Sequence, residues 1–184
     1  SVGTIKKIKR VAKIIIDYKK KNYKVIVVSS AMSGVTNELI KKSFEISDSF
    51  SESEHDVLVS SGEQVACSLI AGRLIHEGYE SRSWLSWQIP ILTKGKYKNS
   101  RINQINKSNI IKYLKKGGIP IVTGFQGLND ENRITTIGRG GSDASAIMIA
   151  KFFKAERCII YTDVEGVYTT DPNKLKNAKK IKVI

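Results

Sequence analysis

Two cysteines, Cys67 and Cys158, and two histidines, His55 and His76, are all that this 184-residue chain offers for disulfides or soft metal ligation. The cysteines lie in apolar segments, where core packing is expected of both, and the histidines are far apart in sequence. Disulfide scaffold and zinc cluster are both argued against. No apolar run approaches the ~20 residues that span a bilayer, so an integral membrane protein is excluded. With no signal peptide or apolar h-region, the chain reads as cytoplasmic. No glycine loop carries the lysine of a Walker pattern, and neither a Rossmann glycine fingerprint nor a protein-kinase signature set occurs. Conventional nucleotide triphosphatases are excluded with them. No histidine or cysteine is placed as an activated nucleophile, so any reaction here should need no general base.

Acidic residues are also scarce, 17 against 31 basic, for a net charge of +14. The excess is 24 lysines against 7 arginines, scattered through Lys6-Lys7-Lys9, Lys19-Lys20-Lys21, Lys115-Lys116 and Lys179-Lys180. Solvated helix faces explain that spread better than a recognition stripe, and no basic-aromatic motif accompanies it, which argues against nucleic acid. Apolar residues at 41% and charged residues at 26% describe an ordinary globular domain.

From Ile5 the apolar positions Ile8, Ala12, Ile15 and Ile16 recur at helical spacing, predicting a helix over about 3–22. The period then changes to an unbroken β-branched run, Val25-Ile26-Val27-Val28, as in a strand buried on both faces of a parallel sheet. Comparable runs are Ile119-Pro120-Ile121-Val122 and Cys158-Ile159-Ile160-Tyr161, with helices expected over 62–77, 104–116 and 142–154. The alternation predicts an α/β domain with helices covering a mostly parallel sheet. Each run leads into a small, polar, glycine-bearing loop: Ser29 to Gly34, Thr123 to Gly127, and Thr162 to Gly166. Loops at the carboxyl ends of parallel strands form the ligand crevice of such sheets, here suited to phosphate or nucleotide.

Gly138-Arg139-Gly140-Gly141-Ser142-Asp143 follows a short run, Ile134 to Ile137, and precedes an apolar helix. Its glycines admit a ligand to the backbone, and an arginine beside an aspartate suits a zwitterion. Ser60-Ser61-Gly62-Glu63 reads as a helix start, with Glu63 in the first turn favourable to the macrodipole. Ser30, Ser33 and Thr36 supply hydroxyls. Phosphorylating a carboxylate meets the condition of needing no base, because a nucleophile of pKa ~4 is already ionised at neutral pH.

Taken in order, Ser29 to Asn37, Ser61-Gly62-Glu63, Gly124-Phe125-Gln126-Gly127, Thr135 to Asp143, and Tyr161-Thr162-Asp163 through Asp171-Pro172 resemble the catalytic domain of the aspartokinases, within the amino acid kinase family. The resemblance covers essentially the whole chain, 1–184, as one partial kinase domain. It implies a three-layer αβα sandwich and ATP-dependent phosphorylation of the L-aspartate β-carboxylate, the first step towards lysine, threonine and methionine. It also implies that Arg139 holds the substrate α-carboxylate, that Glu63 and Asp143 engage its ammonium, that Ser30, Thr36 and Ser142 position the carboxylates, and that Phe125 closes the pocket. Thr162, Asp163 and Tyr168 would line the nucleotide side, with Mg2+ carried mainly by the ATP phosphates and no metal ligand assigned to the chain.

Three departures accompany the resemblance. The family's lysine-phenylalanine-glycine-glycine strand would precede Ser1, so its phosphoryl-stabilising lysine is not among these residues. Asn173 stands where an arginine usually follows the aspartate-proline pair. The remainder of the kinase domain and the regulatory ACT domains would lie beyond Ile184. Little or no turnover is therefore expected of the 184 residues alone, and the parent protein is expected to be oligomeric. Rival readings are another kinase of the fold, acting on acetylglutamate, glutamate or uridylate, and a non-catalytic basic binding module.

Overall fold

A computed structural model describes residues 2–138 and 140–162. The first helix, α1 (Ile5–Lys20), is capped by Thr4, whose hydroxyl accepts from the Lys7 amide at 3.2 Å, and it buries Ile8, Ala12, Ile15 and Ile16. These are the four positions its apolar spacing selects. There follow β1 (Val27–Ser29), α2 (Val35–Ile46), α3 (Glu52–His76), β2 (Ser81–Trp84), β3 (Ile91–Lys94), β4 (Arg101–Ile105), α4 (Ser108–Lys115), β5 (Ile119–Thr123), β6 (Gln126–Leu128), β7 (Ile134–Thr136) and α5 (Gly141–Phe153).

A wholly parallel sheet runs in the order β1-β5-β2, with Ile121 of β5 opposite both Val27 and Ser83. Every residue of β5 is buried. Ile119 and Ile121 pack on one face against Ile8 and Ile15 of α1 and Ile70 and Leu74 of α3. On the other face Val122 packs with Ile110 of α4 and Ile149 of α5. Alternation along one strand thus feeds two cores and makes the three-layer αβα sandwich. Pro120 explains where β1 begins. The Ile119 amide donates to Glu80 O on the β2 side at 2.9 Å, so by alternation Pro120 faces β1 with no N–H to give. The ladder with β1 accordingly starts at Val27 opposite Ile121.

A second sheet, β4-β3-β6-β7, is mostly antiparallel, with one parallel pairing between β3 and β6. The sequence pattern gave no warning of it, and it displaces part of one expected helix. Residues 101–105 pair with β3, so the helix expected over 104–116 is confined to α4.

The run Cys158 to Tyr161 is not a buried strand. Among the described residues β1 pairs only with β5, and a cavity of about 850 Å3 separates its other side from residues 155–161, between α1 and α5. Among the described residues the run is irregular, and Ile159, Ile160 and Tyr161 are 49%, 42% and 51% exposed. Cys158, expected in the core, is an exposed free thiol, whereas Cys67 is buried as expected.

The helix expected over 62–77 begins ten residues earlier, at Glu52, so Glu63 lies in the helix interior and the macrodipole explanation of its position fails. Ser60 and Ser61 do not cap. Their hydroxyls donate back to Val57 O at 2.8 Å and Leu58 O at 2.7 Å, which accommodates both serines within α3. No helix among the described residues is long and apolar enough to cross a membrane.

Candidate functional site

The carboxyl ends of β1 and β5 meet the N-terminus of α5 over the middle of α3. Gly124 makes the first junction possible: its amide donates to Ser29 O at 3.0 Å, and a Cβ there would stand 3.1 Å from Ser142 Cβ. Gly62 makes the second. A Cβ at that point of α3 would stand 2.9 Å from Ala31 Cβ and 3.1 Å from Val35 Cγ1, so only glycine lets the loop after β1 settle on the helix.

That approach puts Glu63 under the loop. Its Oε1 accepts from the Ala31 amide at 3.1 Å, while Oε2 is buried and has no hydrogen-bond partner. Burial pushes the carboxyl up from 4.5 to about 7, a rise that the Ala31 hydrogen bond only partly offsets. A buried acceptor with nothing to accept is costly unless a ligand supplies the donor.

Phe125 closes the far wall. Its φ of 65° is left-handed, uncommon for a bulky side chain. Three contacts hold it there: its amide donates to Ser145 Oγ at 3.0 Å, its carbonyl accepts from the Ile137 amide at 2.8 Å, and its ring lies against Gly141, where a Cβ would be 2.5 Å from Cδ2.

The resulting cavity of about 290 Å3 is lined by Ser30, Ala31, Thr36, Glu63, Phe125, Gly140, Gly141, Ser142 and Asp143. Six of the seven residues expected to bind substrate are therefore brought together from four separate stretches of sequence. Arg139 lies outside the described residues. Of the nucleotide-side expectations, Thr162 is exposed in irregular chain and is not part of this lining, while Asp163 and Tyr168 also lie outside the described residues. The cavity offers hydroxyls from Ser30, Thr36 and Ser142 beside carboxyl groups from Glu63 and Asp143, an arrangement that favours a small molecule bearing a positively charged group.

The amino acid kinase family model matches residues 1–184. The chain belongs to the amino acid kinase family. Among curated relatives, the aspartokinase of Rickettsia conorii is 49% identical over 100% of this chain and 47% of its own length. Aspartokinase 2 of Bacillus subtilis is 45% identical over 100% of this chain and 45% of its own. The chain thus spans about half the length of the curated relatives it matches. Aspartate kinase from Synechocystis superimposes with a TM-score of 0.77 at 37% identity, over 97% of this chain and 29% of that one. E. coli aspartokinase III, solved with aspartate and ADP, superimposes with a TM-score of 0.80 at 24% identity, over 98% of this chain and 51% of that one, a likeness of fold.

Within this family member, sequence reasoning missed the Ala31 amide, which donates to Glu63, whereas the glycine loop expected to admit a ligand to the backbone does line the wall at Gly140 and Gly141. It also missed Asp56, wholly buried two turns before Glu63 on α3. No local signal marks that aspartate once the helix is taken to start at residue 62.

Proposed function

We propose that the protein carrying this chain phosphorylates the β-carboxylate of L-aspartate at the expense of ATP. The observation that carries the reading is the buried Glu63 Oε2, unpartnered in a cavity whose other polar lining is three hydroxyls and one more carboxylate. An α-ammonium supplies the missing donor. Asp143, exposed at the start of α5, adds a second negative group. Arg139, within the glycine loop that leads into α5, takes the α-carboxylate as a planar two-point donor. Ser30, Thr36 and Ser142 orient the reacting carboxylate.

The chemistry then requires little of the protein beyond placement and charge neutralisation. A β-carboxylate oxygen of aspartate forms a bond to the γ-phosphorus of ATP while the bond from that phosphorus to the bridging oxygen breaks. The products are an acyl phosphate and ADP. No proton moves, in keeping with the lack of a placed histidine or cysteine base. The first turn of α5 fits a phosphate-bearing partner: its N-cap, Gly140, has no side chain to occupy the amides, and Gly140 and Gly141 line the cavity. Among the described residues no three His, Cys, Asp or Glu side chains converge on a metal position. Under this reading Mg2+ arrives on the phosphates, and Thr162, Asp163 and Tyr168 serve the nucleotide side.

An acceptor panel tests the proposal. The full-length polypeptide that carries these residues, given ATP, Mg2+ and hydroxylamine to trap acyl phosphates, is expected to form hydroxamate with aspartate and not with N-acetylglutamate or glutamate, and to transfer no phosphate to UMP. Phosphorylation of another acceptor with aspartate untouched would replace the substrate while keeping the fold.

A further inference from the structure

Asp56 stands outside the cavity and outside every role assigned above. It is 0% exposed, and its two oxygens are surrounded by donors from two other parts of the chain. Oδ2 accepts from the Thr136 amide at 2.7 Å and the Lys98 amide at 3.0 Å. Oδ1 accepts from the Thr136 hydroxyl at 2.8 Å and, more distantly, from Lys98 N at 3.2 Å. His55 Nδ1 lies 3.5 Å from Oδ1.

Both segments gripped by Asp56 lead to the same place. Thr136 is the last residue of β7. Beyond it, Ile137 donates to Phe125 O, and Gly138 comes so close to the preceding turn that a Cβ would lie 2.5 Å from Asn99 Oδ1. The turn is itself tied on, because the Ser100 amide donates to Thr136 O at 3.0 Å and Lys98 is held by Asp56. Gly140 and Gly141, four and five residues past Thr136, form part of the cavity wall. On the helix side, Ser60 O accepts from Gln126 Nε2 at 3.0 Å, and Gln126 is the β6 partner of Thr136. One face of α3 thus carries Asp56, Ser60 and Glu63 within two turns, ~10 Å.

We infer that Asp56 is a positioning residue, which locks the end of β7 and the turn at 98–100 onto α3 and so sets where Gly140 and Gly141 stand relative to Glu63 across the amino-acid pocket. Stability alone does not call for it, since a buried charge is commonly matched or bettered by a well-packed apolar residue. What a carboxylate adds is direction: its two oxygens accept from backbone and hydroxyl donors in one geometry only. The inference rests on the functional reading above for its kinetic consequence, but not for its structural one.

The test therefore uses two readouts on the full-length polypeptide. Asp56→Asn keeps the shape and loses the charge and one acceptor atom; Thr136→Val removes a single donor, and Thr136→Ser restores it. Amide exchange over residues 137–141 is expected to quicken in Asp56→Asn and Thr136→Val and to stay at the wild-type rate in Thr136→Ser. The KM for aspartate is expected to rise ~10-fold in Asp56→Asn and roughly 3-fold in Thr136→Val, with the KM for ATP and kcat within about twofold. If Asp56→Asn does not fold, the threonine pair decides. Unchanged exchange at 137–141, or equal rises in both KM values, overturns the inference. Quickened exchange in a wild-type background that does not phosphorylate aspartate upholds the positioning role and removes the substrate assignment instead.

Discussion

Glu63→Gln is expected to abolish useful turnover of aspartate while making the folded protein more stable at pH 8. The two effects have one cause. Removing the buried partner of a charged group costs ~3–5 kcal/mol, or roughly 10²–10⁴-fold in kcat/KM for aspartate. In the empty site the same carboxyl is a burden. Its pKa rises from 4.5 to about 7 on folding, so between those values the folded chain holds a proton that the unfolded chain has released. The stability associated with that proton is complete below pH 4.5 and falls as pH climbs through the window. Above pH 7 it has become a constant penalty, on the order of 3 kcal/mol. Glutamine carries no such penalty. The variant should therefore melt higher than wild type at pH 8, by ~5 °C or more, and at the same temperature near pH 4.5. The wild-type KM for aspartate should also rise about tenfold for each pH unit below 7, because the ammonium needs the ionised carboxyl. Thermal melts at the two pH values and a KM profile from pH 5.5 to 8 check this. A variant that melts lower at pH 8 would show that Glu63 is held by interactions inside the protein rather than kept for a ligand.

Arg139→Ala is expected to raise the KM for aspartate by ~10²-fold or more, with the KM for ATP within a few-fold of wild type. Lysine at the same position should recover only part of the loss, since a single ammonium cannot make two parallel bonds to a carboxylate. The neighbouring chain shows why the position is demanding. Gly138 is pressed against Asn99, and Gly140 has a φ of 75°, so the main chain on either side of Arg139 is closely specified. Steady-state kinetics on the two variants, with each substrate varied in turn, checks the expectation. Retention of aspartate turnover by Arg139→Ala would assign the α-carboxylate to another donor.

Much of the sandwich was legible because its signals are redundant. In α1 the apolar spacing fixes the buried face, and in β5 an unbroken apolar run fits burial on both sides. The failures have local physical causes. Ile105, within the helix expected over 104–116, is instead buried in β4 beside Ile102, because the register passes over Asn103 at a bulge and returns both side chains to one face. Ser60-Ser61-Gly62 imitates a helix start because serine and glycine are cap residues, yet here the hydroxyls bond back within α3 and the glycine serves a close packing contact. Cys158 to Tyr161 has strand composition, yet the described chain there is irregular and largely exposed, and composition alone does not fix a pairing. The side chains of the candidate site were legible from motifs. The Ala31 amide on Glu63, the raised Glu63 carboxyl and the anchor at Asp56 were not, because each depends on where a distant segment comes to rest.

The central claim is that the cavity reads a free α-amino group through Glu63 and presents a carboxylate for phosphorylation. The most direct measurement compares aspartate with N-acetylaspartate as acceptors for the full-length polypeptide, by ATP-dependent hydroxamate formation at pH 8. The two share both carboxylates and differ in the ammonium alone. Aspartate should be phosphorylated, with N-acetylaspartate at least ~10²-fold poorer in kcat/KM. Equal use of both, or preference for the acetylated acceptor, would contradict the claim.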